Sequence, residues 1–159
     1  MNKRTVIQAV VARLGDELQT YLNAANASRE EATHESSKAE NKYDTRGLEA
    51  SYLARGQSRQ IAELETAVVE FQTLGMREFK AADPIDVGAL VELKHGRERS
   101  FYLVGPRAGG TEVECDGHEI LVITPQSPLG SQLMGRQSGD VLKLTLPGSS
   151  DKYHVVSVE

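Results

Sequence analysis

Two carboxylates four residues apart, Glu40 and Asp44, lie in a polar stretch running from His34 to Arg46. On a continuing helix that spacing puts both on one face. Carboxylate oxygens are the hard ligands that Mg²⁺ takes while keeping several of its waters. A third acid, Glu49, follows on the next helix. The same residues have a plainer use, because Lys38, Lys42 and Arg46 alternate with them as in a solvated turn laced by intrahelical ion pairs. Lys38, Lys42, Arg46, Arg55 and Arg59 also make a basic face suited to phosphates or an acidic wall, or simply to solvent. Other chemistries lack their residues. His34, His95, His118 and His154 have no metal-ligand spacing with one another or with Cys115. Cys115–His118 has the composition of a turn and no activating constellation. Gly105–Gly110 lacks the Lys-Ser/Thr ending of a phosphate-binding loop.

The acids need an element to carry them, and the first half of the chain supplies one. Ile7, Val11, Leu14, Leu18, Tyr21, Ala25, Ser28 and Ala32 alternate spacings of four and three, a coiled-coil seam. A second seam runs Ile61, Leu64, Val68 and Phe71, with Leu48 and Leu53 upstream and Leu74 just beyond. No proline precedes Pro84. The seam lapses between His34 and Arg46, so the expectation is an antiparallel helical hairpin over residues 1–78, with its tip near 38–47. Each helix, at 1.5 Å per residue, would extend roughly 55–60 Å. Seam residues shrink toward the tip, where Ala25, Ser28 and Ala32 face Ala50, Ala54 and Gln57. That thins the distal arm and gives up buried apolar area. A probe entering a narrow opening would be built so; an ordinary dimerisation coiled coil is the alternative.

From residue 79 the period changes to two. Val87–Lys94 and Ser100–Gly105 form a hairpin around His95-Gly96-Arg97. Ile120–Ile123, Asp140–Leu146 and Tyr153–Val158 supply further strands. Between them Ser127-Pro128 opens a short helix, a hydroxyl cap followed by a ring whose φ suits the first turn. Leu129, Leu133 and Met134 share one face of it, and Gly135 is placed for its C-cap. The class is therefore α+β, a helical hairpin followed by a small antiparallel sheet with one short helix. Net charge is −5, close to balanced up to Lys80 and acidic from Ala81 on, so the chain is no bulk nucleic-acid binder. One cysteine, no apolar span and no signal-peptide core point to a cytoplasmic protein without membrane attachment.

A helical hairpin followed by "VELKHGRERSFYLVGP", "ITPQSPLGSQLMGRQSGDVLKL" and "YHVVSVE", with "RQIAELE" on the second helix, resembles the bacterial Gre transcription elongation factors. The resemblance covers nearly the whole chain and implies an FKBP-like β domain over 79–159. It also implies docking at the rim of the RNA polymerase secondary channel through Pro128, Leu129, Leu133, Met134, Gly135 and Arg136. The hairpin would enter that channel as a monomer, its basic residues Lys38, Lys42, Arg46, Arg55 and Arg59 meeting RNA or the channel wall. RNA and DNA would be met only through the elongation complex. Asp44, with Glu40, would help hold Mg²⁺ at the polymerase active site; the chain holds no metal or cofactor of its own. Paired metals clamp the attacking and leaving oxygens of a phosphodiester, so the factor need add only a carboxylate or two.

At the tip the chain departs from the pattern. Registered by "RQIAELE", Asp44 takes the place of the second acid and is one methylene shorter, while the neutral Asn41 takes the place of the first. Three functions therefore compete. They are a Gre-type factor that stimulates RNA cleavage or only occupies the channel, an FKBP-like isomerase or chaperone on a coiled coil, and a dimeric coiled-coil scaffold. The second is poor in pocket aromatics, with only Phe101, Tyr102 and Tyr153 in that domain beyond Phe79 at its first position.

Overall fold

The computed structural model describes residues 1–33, 46–74, 77–80, 82–146 and 149–159. Helix α1 spans Lys3–Thr33 and α2 spans Arg46–Leu74. The strands are β1 (Leu90–His95), β2 (Glu98–Val104), β3 (Glu112–Cys115), β4 (His118–Ile123), β5 (Val141–Leu146) and β6 (Ser149–Val158), with helix α3 (Gly130–Leu133) between β4 and β5. The α+β class holds. The residues divide into two compact units, one of 14–68 and one joining 1–13 to 69–159.

In the helical unit Leu14, Ala25 and Ser28 of α1 are buried at the expected seam positions. On α2 the expected line holds at Leu64, and at Phe71 in the other unit, but is shifted at its other positions. Leu64 and Ala67 are buried and Gln57 and Gln60 half-buried, while Leu48 and Leu53 are exposed. Positions 57, 60, 64 and 67 keep the spacing of three and four. The more apolar residues Ile61 and Val68 flank this line and are only half-buried. Hydrophobicity alone had drawn the line through them. Small and polar residues hold the true seam, so the helices bury little apolar area here.

In the other unit the strands form one six-stranded sheet in the order β3-β4-β2-β1-β6-β5. It is mixed rather than wholly antiparallel, because β2 and β4 run parallel with Phe101 opposite Ile120 and Leu103 opposite Val122. The loop after β2 carries the chain past one strand position, so β3 forms the edge and β4 returns into the gap. A two-residue turn joins them, with Asp116 at φ 53° and Gly117 at φ 75°, the twist that hairpins favour. The four-residue strand β3 escaped the sequence reading, since Thr111–Cys115 alternates with only two apolar side chains.

The register sorts the side chains onto two faces. On one, Val91, Leu93, Val104, Ile123, Leu142, Leu144 and Val155 pack with Leu129 and Leu133. On the other, Leu103, Ile120 and Val122 are fully buried. There the first turns of α1 reach the sheet, with Thr5 O 3.9 Å from Cys115 Sγ. Glu70, near the end of α2, accepts two contacts from the Arg107 guanidinium, at 2.6 and 3.3 Å. The residues after α2 are fastened too. Arg77 donates to Val87 O (2.7 Å), pairs with Asp86 (2.9 Å) and lies 4.7 Å over the Phe79 ring. Lys3 donates to Arg77 O, and burial pulls its ammonium pKa down.

Candidate functional site

The segment from Thr124 to Asp140 is shaped by a few polar side chains. Ser127 Oγ donates to Thr124 O (2.8 Å) and accepts the Gly130 N–H (3.0 Å), so it satisfies the first helical N–H from two residues before the N-cap, Leu129, which has no side-chain cap of its own. The regular helix is only Gly130–Leu133, shorter than expected. Gly135 ends it at φ 78°, the left-handed C-cap conformation. Its N–H donates to Ile85 O (2.9 Å), and Ile85 N donates to Arg136 O (2.6 Å). Asp140 closes the segment by accepting the Gln137 N–H (2.9 Å).

These bonds fix what the segment presents. Pro128, Gly135 and Arg136 are exposed and Met134 is half-buried. Leu129 (8% exposed) and Leu133 (0%) point into the core. Of the six docking candidates, the other four are the ones left facing solvent wholly or in part. Two hollows flank the segment. A mainly apolar one of about 590 Å³ is lined by Tyr102, Leu121, Thr124, Pro128 and Leu129 among others. The second, of about 510 Å³, lies between Ser131–Arg136 and Val141–Lys143. Tyr102 is the one aromatic lining the apolar hollow. Phe101 stacks on His118 (4.6 Å) and Tyr153 on His95 (4.9 Å).

Of the tip residues, Glu40, Asp44, Asn41, Lys38 and Lys42 lie outside the described residues, as does the side chain of Arg46. Glu49 sits in the first turn of α2 and is exposed. Arg55 and Arg59 are exposed on α2, and each has a partner on its own helix. Arg59 pairs with Glu63 at 3.3 Å. Arg55 lies 5.7 Å over the ring of Tyr52, itself 60% exposed rather than packed. Among the described residues no three His, Cys, Asp or Glu side chains are grouped to hold a metal ion. Among the same residues no helix is long and apolar enough to cross a membrane. The residue that sequence reasoning missed is Gln132, which binds β5 through its side-chain amide. Its only signal was a polar side chain among the apolar positions of the short helix.

A sequence model of the family described as "Transcription elongation factor, GreA/GreB, C-term" matches residues 80–159, half of the chain and the whole of this segment. The chain belongs to the GreA/GreB family. Transcription elongation factor GreA of Xylella fastidiosa (strain 9a5c) is 27% identical to this Gre factor over 157 residues, 94% of the chain and 92% of the relative. GreA of Thermotoga neapolitana is 32% identical over 79 residues, 48% of the chain and 46% of that protein. Among solved structures, the GreA factor homolog 1 (Gfh1) protein of Thermus thermophilus shares 25% identity, with 95% of each chain covered and a TM-score of 0.40. GreA/GreB from Nitrosomonas europaea shares 17%, covering 70% of this Gre factor and 91% of that chain, with a TM-score of 0.37.

Proposed function

We propose that this transcription elongation factor binds RNA polymerase through the solvent side of its Ser127–Asp140 segment and modulates elongation from the secondary channel. The observation that carries this reading is the family match over 80–159. It falls on a segment whose outer residues, the exposed Pro128, Gly135 and Arg136 and the half-buried Met134, are held by an inner set that includes Ser127, Leu129 and Leu133. The helical hairpin enters the channel, with Arg55 and Arg59 on its exposed surface. At the tip, Asp44 and Glu40 add carboxylate ligands beside the polymerase Mg²⁺, and backtracked RNA is cleaved there. The metal belongs to the polymerase and supplies the Lewis acidity.

Asn41 favours a second reading, in which the factor occupies the channel without stimulating cleavage. It stands where the family pattern has an acid, and a neutral amide is the weaker Mg²⁺ ligand. Co-purification with RNA polymerase tests docking, and RNA shortening in stalled, backtracked complexes tests cleavage. The expected result is Mg²⁺-dependent shortening above polymerase alone, lost in Asp44→Ala with co-purification retained. Co-purification without any added shortening would leave the channel-occupying reading. Absence of co-purification would remove both.

A further inference from the structure

Strand β5 is an edge of the sheet, and its outward backbone is only partly closed. At Thr145 the Gln132 side-chain amide stands in for a neighbouring strand. Its Nε2 donates to Thr145 O (3.1 Å) and its Oε1 accepts the Thr145 N–H (2.9 Å). Thr145 therefore turns its N–H and C=O away from β6. By the alternation of an antiparallel ladder, Lys143 and Val141 do the same. Their two N–H and two C=O groups face the hollow of about 510 Å³ whose opposite wall is Ser131–Arg136, and no partner for them is found among the described residues. Val141 is 55% exposed. An edge of this kind is a template for another strand.

We infer that the free edge of β5 at Val141–Lys143 is a docking site for an extended acidic segment of a partner protein, taken up by strand addition. Charge decides the occupant. Lys143 and Arg136 flank the hollow, both exposed and neither in an ion pair among the described residues. Lys152 lies directly across from Lys143 on β6. This basic cluster belongs to a domain that is otherwise acidic. The nearby Asp140 is taken up by the Gln137 N–H. A second copy is the poorer occupant, since pairing β5 with β5 brings Lys143 near its own counterpart. An incoming strand with acids at alternate positions meets these cations while its backbone completes the ladder. The site shares Met134, Gly135 and Arg136 with the proposed polymerase-docking surface, so it is tested without polymerase.

The test uses the full chain, without polymerase, and a short synthetic peptide alternating valine and glutamate. Amide NMR should show the largest shifts at Val141 and Lys143. Salt should weaken the binding, and Lys143→Glu should weaken it about tenfold, as the loss of an exposed charge contact plus a repulsion of similar size would. A peptide N-methylated at its ladder-forming residues should not bind. Gln132→Ala, which frees the Thr145 pair, should tighten binding. The NMR spectrum of each variant reports its folding directly. Equal binding of the N-methylated peptide, equal binding of a valine–lysine peptide, or no shifts at millimolar peptide would each overturn the inference. So would peptide-independent dimerisation of Gln132→Ala through β5.

Discussion

Gly130→Ala should be the most costly single-methyl change in the Ser127–Asp140 segment. A Cβ at Gly130 would lie 1.9 Å from Thr124 O and 2.8 Å from Ser127 Oγ, where real Cβ contacts essentially never fall below 3.0 Å. The carbonyl would have to retreat by about 1 Å, in a part of the fold packed to interior density. That oxygen accepts both Ser127 N (2.9 Å) and Ser127 Oγ (2.8 Å), so its retreat weakens the turn and the cap together. Two hydrogen bonds at about 1 kcal/mol each and overpacking strain of about 1–3 kcal/mol outweigh the roughly 1 kcal/mol that alanine gains over glycine in a helix. The net cost is about 2–4 kcal/mol, and Tm should fall on the order of 10 °C for a domain of this size. The chain has no Trp, so the assay is urea unfolding followed by tyrosine fluorescence, with hydrogen exchange at Leu133. Gly135→Ala is the control. It has nothing within 4 Å but a φ of +78°, for a cost of about 1–2 kcal/mol. Should Gly130→Ala cost no more than Gly135→Ala, the close approach would not be what demands glycine there.

Further outcomes follow from the same structure. Gln57 Oε1 is buried in the α2 seam without a hydrogen-bond partner among the described residues. Gln57→Leu should therefore raise the thermal midpoint of the helical circular dichroism signal, by about 1–2 kcal/mol of stability. The bond from Val87 N–H, then that from Arg77, holds the Asp86 carboxyl below its ordinary value of 3.8. A depressed pKa contributes stability that is present above 3.8 and lost as pH falls through the folded value. Asp86→Asn should flatten the pH dependence of unfolding below about pH 4, by under 1 kcal/mol because Asp86 and Arg77 are both well exposed. Burial, then the charges of Asp116 and Glu114, pushes the Cys115 thiol up. Thiol-specific labelling should accordingly be slow until the turns of α1 around Thr5 lift from the sheet, and unfolding should accelerate it many-fold.

The seam of α1, the α+β division and the capped turn at Ser127 were legible because each rests on local spacing. Ile7, Leu14, Ala25 and Ser28 recur with the heptad, and Ser127-Pro128 carries its own capping chemistry whatever surrounds it. The line on α2 was legible only at Leu64 and Phe71. Ile61 and Val68 are more apolar than Gln60 and Ala67, and only the partner surface decides which pair turns inward. That Leu129 and Leu133 face inward was not legible for a similar reason. A short amphipathic helix announces that it has an apolar face, and it does not say whether sheet or partner covers that face.

By itself, the sequence determined every element but β3, their order and the family, since periodicity, turn chemistry and a run of matching residues are properties of the chain. Tertiary structure alone decided that β4 enters parallel beside β2 and that β3 closes the edge. A strand's neighbours are set by where loops can return it, which its own alternation does not encode. It alone revealed that Gln132 serves as a substitute strand for Thr145, a pairing across 13 residues that no local pattern foretells. It also left Val141 and Lys143 open beside that plug, because an edge exists only once the sheet has been assembled.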